Sequence, residues 1–70
     1  MIVFREPKPD QPYVSLAYCG EELVAARIGG HGPSAWDVIS GWVPEDREYA
    51  LRVALEDAYE FSGRLNAFFQ

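Results

Sequence analysis

The stretch that decides the fold runs from Tyr13 to Ile28 and reads YVSLAYCGEELVAARI. Two runs rich in β-forming residues flank Gly20-Glu21, and glycine at the first central position is what a tight type II′ turn requires. The pattern therefore predicts an antiparallel hairpin in which Cys19 pairs with Glu22.

Both faces of this hairpin are partly apolar. Side chains alternate strictly between the faces of a regular strand, so the register assigns each residue to one side. We expect the face with the larger side chains to pack on the core, although Arg27 also falls on it. That face holds Val14, Leu16, Tyr18, Leu23 and Ala25.

Upstream of the hairpin, Ile2 to Glu6 is a short β-prone run that ends before a proline cluster. Proline blocks both helix and central strand, so a loop follows this run. The run predicts the third strand of an antiparallel sheet.

Downstream, Ser34 and Asp37 have the spacing of a capping box, which predicts the start of a short helix. Ala35, Val38, Ile39 and Trp42 then follow at helical spacing, with Trp42 expected in the core. Trp36 points elsewhere on such a helix and is expected to be partly exposed.

Pro44 is suited to the first position of a longer helix. Its apolar residues fall within about 140° of arc at 100° per residue, which predicts a stripe packed on the sheet. Gly63 is a candidate end for this helix near Ser62. The stripe contains Ala50, Leu51, Ala54, Leu55, Ala58, Phe61, Leu65, Phe68 and Phe69.

Together these elements predict one compact α+β domain over residues 1–70. A three-stranded antiparallel β-sheet carries the short helix and the longer C-terminal amphipathic helix on one face. Seventy residues, 49% of them hydrophobic, suffice for a single core. With one cysteine, Cys19, no intramolecular disulfide is possible. Charge at Arg5 and Glu6 precedes any apolar run of signal-peptide length, so we expect a soluble, cytoplasmic protein.

The chain is acidic, with 11 acidic against six basic residues and a net charge of −5. Such a charge repels nucleic acid and anionic membranes and attracts basic surfaces. Six acidic residues of the longer helix are predicted to lie opposite the apolar stripe: Glu45, Asp46, Glu48, Glu56, Asp57 and Glu60.

Glu56 and Glu60 are separated by about 6 Å along a helix axis, close to the roughly 7 Å between alternate phosphates of one DNA strand. The acidic face could therefore imitate a nucleic-acid backbone. The alternative is a solvated face whose first acids interact with the helix dipole. Tyr49 and Tyr59, predicted among the acids, and Trp36 are candidate interface anchors.

No catalytic or metal site can be assembled from the sequence. His31 and Cys19 lie in different segments, and neither has a second His or Cys as a partner. The loop from Gly29 to Ser34 lacks the lysine and spacing of a phosphate-binding loop. We therefore expect no cofactor, no metal and no enzymatic activity.

The whole chain resembles the small phage-encoded anti-CRISPR inhibitor proteins. The resemblance rests on its length, its acidic charge, the hairpin around Cys19-Gly20-Glu21-Glu22 and the acidic C-terminal helix, and it includes no diagnostic motif. It implies an inhibitor, acting in the bacterial host cytoplasm, that binds a type I Cascade-like surveillance complex and blocks target DNA. The alternative is a small antitoxin or accessory subunit that neutralises a basic partner protein. In either case we expect a monomer that binds neither nucleic acid nor membrane directly.

Overall fold

In the computed structural model, a four-stranded antiparallel sheet packs with one long helix. The structure describes residues 2–5 and 7–69, with side chains up to residue 61. The predicted α+β class and antiparallel sheet are confirmed, whereas the count of three strands is wrong. Within the described residues, no helix is both long and apolar enough to cross a membrane. The elements are β1 (Ile2–Arg5), β2 (Val14–Cys19), β3 (Glu22–Ile28), a 3-10 turn (Pro33–Ala35), β4 (Trp36–Val38) and α1 (Glu45–Phe69).

The hairpin of β2 and β3 forms as predicted, with Gly20 at a φ of 66° and Cys19 paired with Glu22. A β-bulge then changes the register, because Ala17 pairs with Ala25 and Val24 becomes an extra residue. Val24 and Ala25 are both fully buried. Beyond such a bulge the alternation of faces is out of phase with the turn.

The bulge changes which residues of β2 share a face with Ala25 and Arg27. Ser15, Ala17 and Arg27 are buried, whereas Leu16 and Val14 are only half-buried on the other face. The predicted core face is therefore wrong for β2, since the small side chains of this strand, rather than its large ones, lie beneath the helix. Small residues there leave room for Trp36 and Leu55, which are also fully buried.

The predicted short helix is wrong. After the 3-10 turn the chain extends as β4, which places Trp36 beside Arg27 and Val38 beside Ala25. The turn is preceded by Gly32 and has no side-chain cap, so Ser34 does not act in a capping box. Strand pairing satisfies backbone groups along β3 that a short helix would have left without partners.

Helix α1 begins after Pro44, as predicted, and continues through Gly63 to Phe69, so the predicted end near Ser62 is wrong. Leu55 is fully buried and Leu51 packs beside it, but Phe61 is 63% exposed. The packed face is thus rotated by roughly 100° from the predicted stripe, or about one residue around the helix.

The rotation also changes the burial of the other residues in the predicted apolar stripe. Ala58 is half-buried, and Ala50 and Ala54 are exposed. The expectations for Leu65, Phe68 and Phe69 fall outside the side chains that the structure describes. The new packed face carries Glu56 and Tyr59 toward the sheet.

Candidate protein-binding surface

An acidic stripe runs along the solvent side of α1 and consists of Asp46, Tyr49, Asp57 and Glu60. All four side chains are exposed, Tyr49 by 73%. On a helix with 100° per residue they lie within about 80° of arc, and they span about 21 Å of axis. Glu45 is also exposed and borders the stripe in the first turn. The predicted acidic face therefore exists, but with fewer members.

Glu48 lies outside the stripe because it belongs to a local ion pair. Its carboxylate accepts a hydrogen bond from Arg52 Nη2 at 2.7 Å, one helical turn away. Arg52 Nη1 also donates to the carbonyl oxygen of Ser34 at 3.4 Å. This half-buried pair connects α1 to the 3-10 turn and cancels the charge that Glu48 was expected to present.

Glu56 is 7% exposed, so its predicted place on the acidic face is wrong. Its two oxygens lie 3.3 and 3.5 Å from Arg27 Nη1, and one accepts a hydrogen bond from Trp36 Nε1 at 2.9 Å. The physical reason is Arg27, which is also 7% exposed on the packed face of β3. A guanidinium buried there requires a carboxylate partner, and α1 is rotated to supply it.

Trp36 is a core residue and Tyr59 packs against the core, so their predicted exposure as anchors is wrong. Trp36 is 0% exposed, and Tyr59 is half-buried with its ring 5.9 Å from the indole. Phe4 completes this aromatic cluster, 5.7 Å from Trp36. Arg27 lies over the Tyr59 ring at 4.7 Å, a distance typical of a cation–π contact. Of the three predicted anchors, Tyr49 alone is fully exposed.

Arg27 is the centre of a largely buried polar network that was not predicted from the sequence. Its Nε donates to the carbonyl oxygens of Gly29 and Gly30 at 3.3 and 3.0 Å, and its Nη2 contacts Gly30 O and His31 Nδ1. A guanidinium can only donate, so Nδ1 of His31 accepts and the ring proton of the neutral imidazole is on Nε2. A single arginine inside an apolar strand was the available sign of this network.

The buried polar groups of this network have hydrogen-bond partners, and His31 joins it through Nδ1. Ser15 Oγ contacts the Tyr59 hydroxyl at 3.3 Å, and no buried side-chain polar atom among the described residues lacks a partner. Within the same residues, no three His, Cys, Asp or Glu side chains converge in a way that could hold a metal ion. The network fixes α1 on the sheet and thereby holds the acidic stripe in one orientation.

Within α1, the carboxylates outside the two ion pairs are those of the stripe and of Glu45. Of the six acidic residues in α1, Glu48 and Glu56 form ion pairs among the described side chains. Asp46, Asp57 and Glu60 face solvent around an exposed tyrosine. Such a surface can form charge-assisted hydrogen bonds to lysine and arginine side chains. Comparison with protein-family models, curated proteins and solved structures finds no match.

Proposed function

We propose that this protein is a binding inhibitor rather than an enzyme. It places the acidic stripe of α1 against a basic surface of a partner protein that normally holds nucleic acid, and thereby excludes the nucleic acid. The observation that carries this proposal is the exposure of Asp46, Asp57 and Glu60 around Tyr49 on one face of a fixed helix.

The surroundings of the stripe favour binding over simple solubility. A solvated face needs no large aromatic side chain, yet Tyr49 is 73% exposed between the carboxylates. Tyrosine is enriched at the centres of protein interfaces. The ion pair between Arg27 and Glu56 holds the helix in place beforehand, which reduces the entropy lost on binding.

The acidic stripe resembles nucleic acid in its negative charge, but the spacing of its carboxylates does not match that of DNA phosphates. With Glu56 buried, the pair with Glu60 that would match alternate phosphates is not presented. Asp57 and Glu60 are separated by about 4.5 Å along the axis, and Asp46 lies about 16 Å from Asp57. The stripe therefore competes with nucleic acid because its negative charge complements a basic groove. The electrostatic attraction guides the encounter of the two proteins and fixes their relative orientation.

The resemblance to anti-CRISPR inhibitors makes a type I Cascade-like surveillance complex the first partner to test. The alternative partner is a basic toxin or the core of a larger assembly, for which the chain serves as an antitoxin or accessory subunit. The acidic stripe would bind the partner in both roles. The roles differ in whether that binding displaces target DNA from a surveillance complex. Loss of target DNA from the surveillance complex supports the first role only.

The test measures fluorescence anisotropy of labelled target DNA on a purified type I surveillance complex while the protein is added. The wild-type protein should release the DNA, and Asp57→Lys with Glu60→Lys should raise the required concentration by at least about 100-fold. Each like-charge contact against a basic groove costs on the order of several kcal/mol. Inhibition should also weaken as salt is added, since exposed charges are screened.

The matched control is Glu21→Lys with Glu22→Lys, which reverses two exposed acids in the hairpin turn. Both double variants carry the same net charge, so a difference between them reports position rather than total charge. Equal inhibition by the two variants would contradict a role for the stripe. No displacement of DNA by the wild-type protein would exclude the surveillance complex as the target.

A further inference from the structure

The sheet has a second face, opposite α1, on which no helix packs within the described residues. Ile2 and Phe4 pack against the core, so the alternate residues Val3 and Arg5 point to this open face. Directly paired residues of neighbouring strands share a face, which extends the assignment across the sheet. The open face consists of three rows of paired residues: Arg5, Leu16, Ala26 and Asp37; Val3, Tyr18 and Leu23; and Val14 and Ile28.

The open face is apolar and accessible, with charge only at two edges. Ile28 is 72% exposed, Val3 53% and Leu23 37%. Arg5 and Asp37 are also exposed, and they lie at opposite ends of one row, on the edge strands β1 and β4. An exposed apolar surface with a polar rim marks an interaction site.

The charge pattern of the row from Arg5 to Asp37 is complementary to itself. A two-fold axis that runs parallel to the strands, between β2 and β3, places β1 of one copy over β4 of the other. Arg5 then lies opposite Asp37 of the second copy, and symmetry forms the same pair again. We propose that two copies of this chain dimerise through their open faces in this arrangement.

The other face-to-face arrangement, with the two-fold axis across the strands, is unfavourable. It places each strand over its own counterpart, so Arg5 and Asp37 of the second copy are three strands, or about 14 Å, apart. Like charges then lie over the same edge strand in both copies. Charge therefore selects the arrangement in which β1 lies over β4.

Side-chain size fits the selected arrangement. It places Leu16 opposite the small side chain of Ala26, and Ile28 opposite Val14. A groove of about 160 Å³ opens beside Val14 and Leu16. A cavity of roughly 150 Å³ holds benzene, so this groove can receive the exposed Ile28 side chain of the second copy.

Arg5 is already oriented for the contact. Its guanidinium carbon lies 4.3 Å from the centre of the Tyr18 ring, a cation–π distance that keeps the charge over the open face. Packed sheets are separated by about 10 Å, a gap that an arginine and an aspartate from opposite sides can bridge. The pair fixes the relative orientation of the copies, whereas burial of the apolar rows supplies the attraction.

The size of the open face sets the expected affinity. Four strands about 4.8 Å apart and five residues long give a flat footprint of roughly 300 Å² per copy. Such an interface falls below about 1,200 Å² in total, the range of weak and reversible complexes. The sequence-based expectation of a monomer is thus replaced by a dimer whose population rises with concentration. The acidic stripe lies beyond α1 and stays exposed in the dimer, so the dimer does not depend on the proposed function.

The test is the molar mass of the full chain, measured by light scattering at concentrations up to about 0.5 mM. The mass should rise from 7.9 kDa toward 15.8 kDa, twice the mass of one chain. Ile28→Glu should stay monomeric, whereas Phe61→Glu, the same charge change at an exposed side chain of α1, should dimerise like the wild type. Val3→Glu repeats the test elsewhere on the open face, and circular dichroism checks each fold. A wild-type monomer at 0.5 mM, or a dimer lost in Phe61→Glu but kept in Ile28→Glu, would overturn the proposal.

The arrangement is tested by exchanging charges. Arg5→Asp and Asp37→Arg each create two like-charge pairs and should each raise the dimer dissociation constant by about tenfold. An equimolar mixture of the two variants should recover dimerisation, because opposite charges face each other again in the mixed dimer. Arg47→Asp, an equal charge change at an exposed position of α1, should leave the constant unchanged. A mixture that does not recover would overturn the pairing of Arg5 with Asp37. Neither measurement needs another protein, so its failure is distinguishable from failure of the proposed inhibition.

Discussion

Changing Glu56 to glutamine preserves the size of the side chain but removes the negative charge 3.3 Å from Arg27 Nη1. Both residues are 7% exposed, so little water can replace the lost partner. Removing one member of a buried ion pair costs about 3–5 kcal/mol. The amide oxygen can still accept the Trp36 Nε1 hydrogen bond, which places Glu56→Gln near 3 kcal/mol. Glu56→Ala also loses that bond and should cost about 4–5 kcal/mol.

Such a loss is large for a chain of this size. At about 0.05–0.15 kcal/mol per residue, 70 residues have a free energy of unfolding of about 3.5–10.5 kcal/mol. Glu56→Gln should therefore remove roughly 30% or more of the stability. The control is Glu48→Gln, which removes a half-buried ion pair with Arg52 on the same helix and should cost about 0.5 kcal/mol.

Urea unfolding followed by tryptophan fluorescence and circular dichroism measures both values. A double-mutant cycle with Arg27→Met adds a second criterion. The cost of the pair of substitutions should be smaller than the sum of the single costs, since neither charge is then left buried alone. If Glu56→Gln costs no more than Glu48→Gln, the ion pair does not hold α1 on the sheet.

Three further measurements test other contacts. Trp36→Phe removes the indole donor to Glu56 and should cost about 1–2 kcal/mol in urea unfolding, whereas a neutral effect would show that the bond is unimportant. In a Trp42→Phe background, the fluorescence of Trp36 should resist iodide quenching because the ring is 0% exposed, and efficient quenching would contradict its burial. Gly30→Ala should destabilise by about 1–2 kcal/mol, since φ is +72° and the new Cβ would lie 3.2 Å from Ala35 Cβ, and an unchanged Tm would contradict this.

The elements of the fold that local chemistry determines were predictable from the sequence. Gly20 marked the hairpin turn, and the pairing of Cys19 with Glu22 followed from it. Pro44 and the acids after it marked the start of α1. Each depends on the backbone preference of a few neighbouring residues, which a single sequence reveals.

The errors have one tertiary origin. Nothing local distinguishes a bulge at Val24 from regular alternation, yet the bulge places Ser15 and Ala17 on the packed face with Arg27. Arg27 was expected on that face, but its need for a buried partner was not. The buried guanidinium then requires Glu56, and this requirement outweighs burial of Phe61 on the helix. The acidic face consequently lost Glu56 and Tyr59, while Asp46, Tyr49, Asp57 and Glu60 kept their predicted exposure.

The strand order β1-β2-β3-β4 repeats the order of the chain, so each strand pairs with its neighbour in sequence. Sheets of this kind form by successive short loop closures, which are fast because little chain entropy is lost at each step. On a ribosome, all four strands are synthesised before Glu56 exists. Until α1 is complete, Arg27 must therefore remain hydrated, and docking of the helix is the step that removes water from the packed face of the sheet.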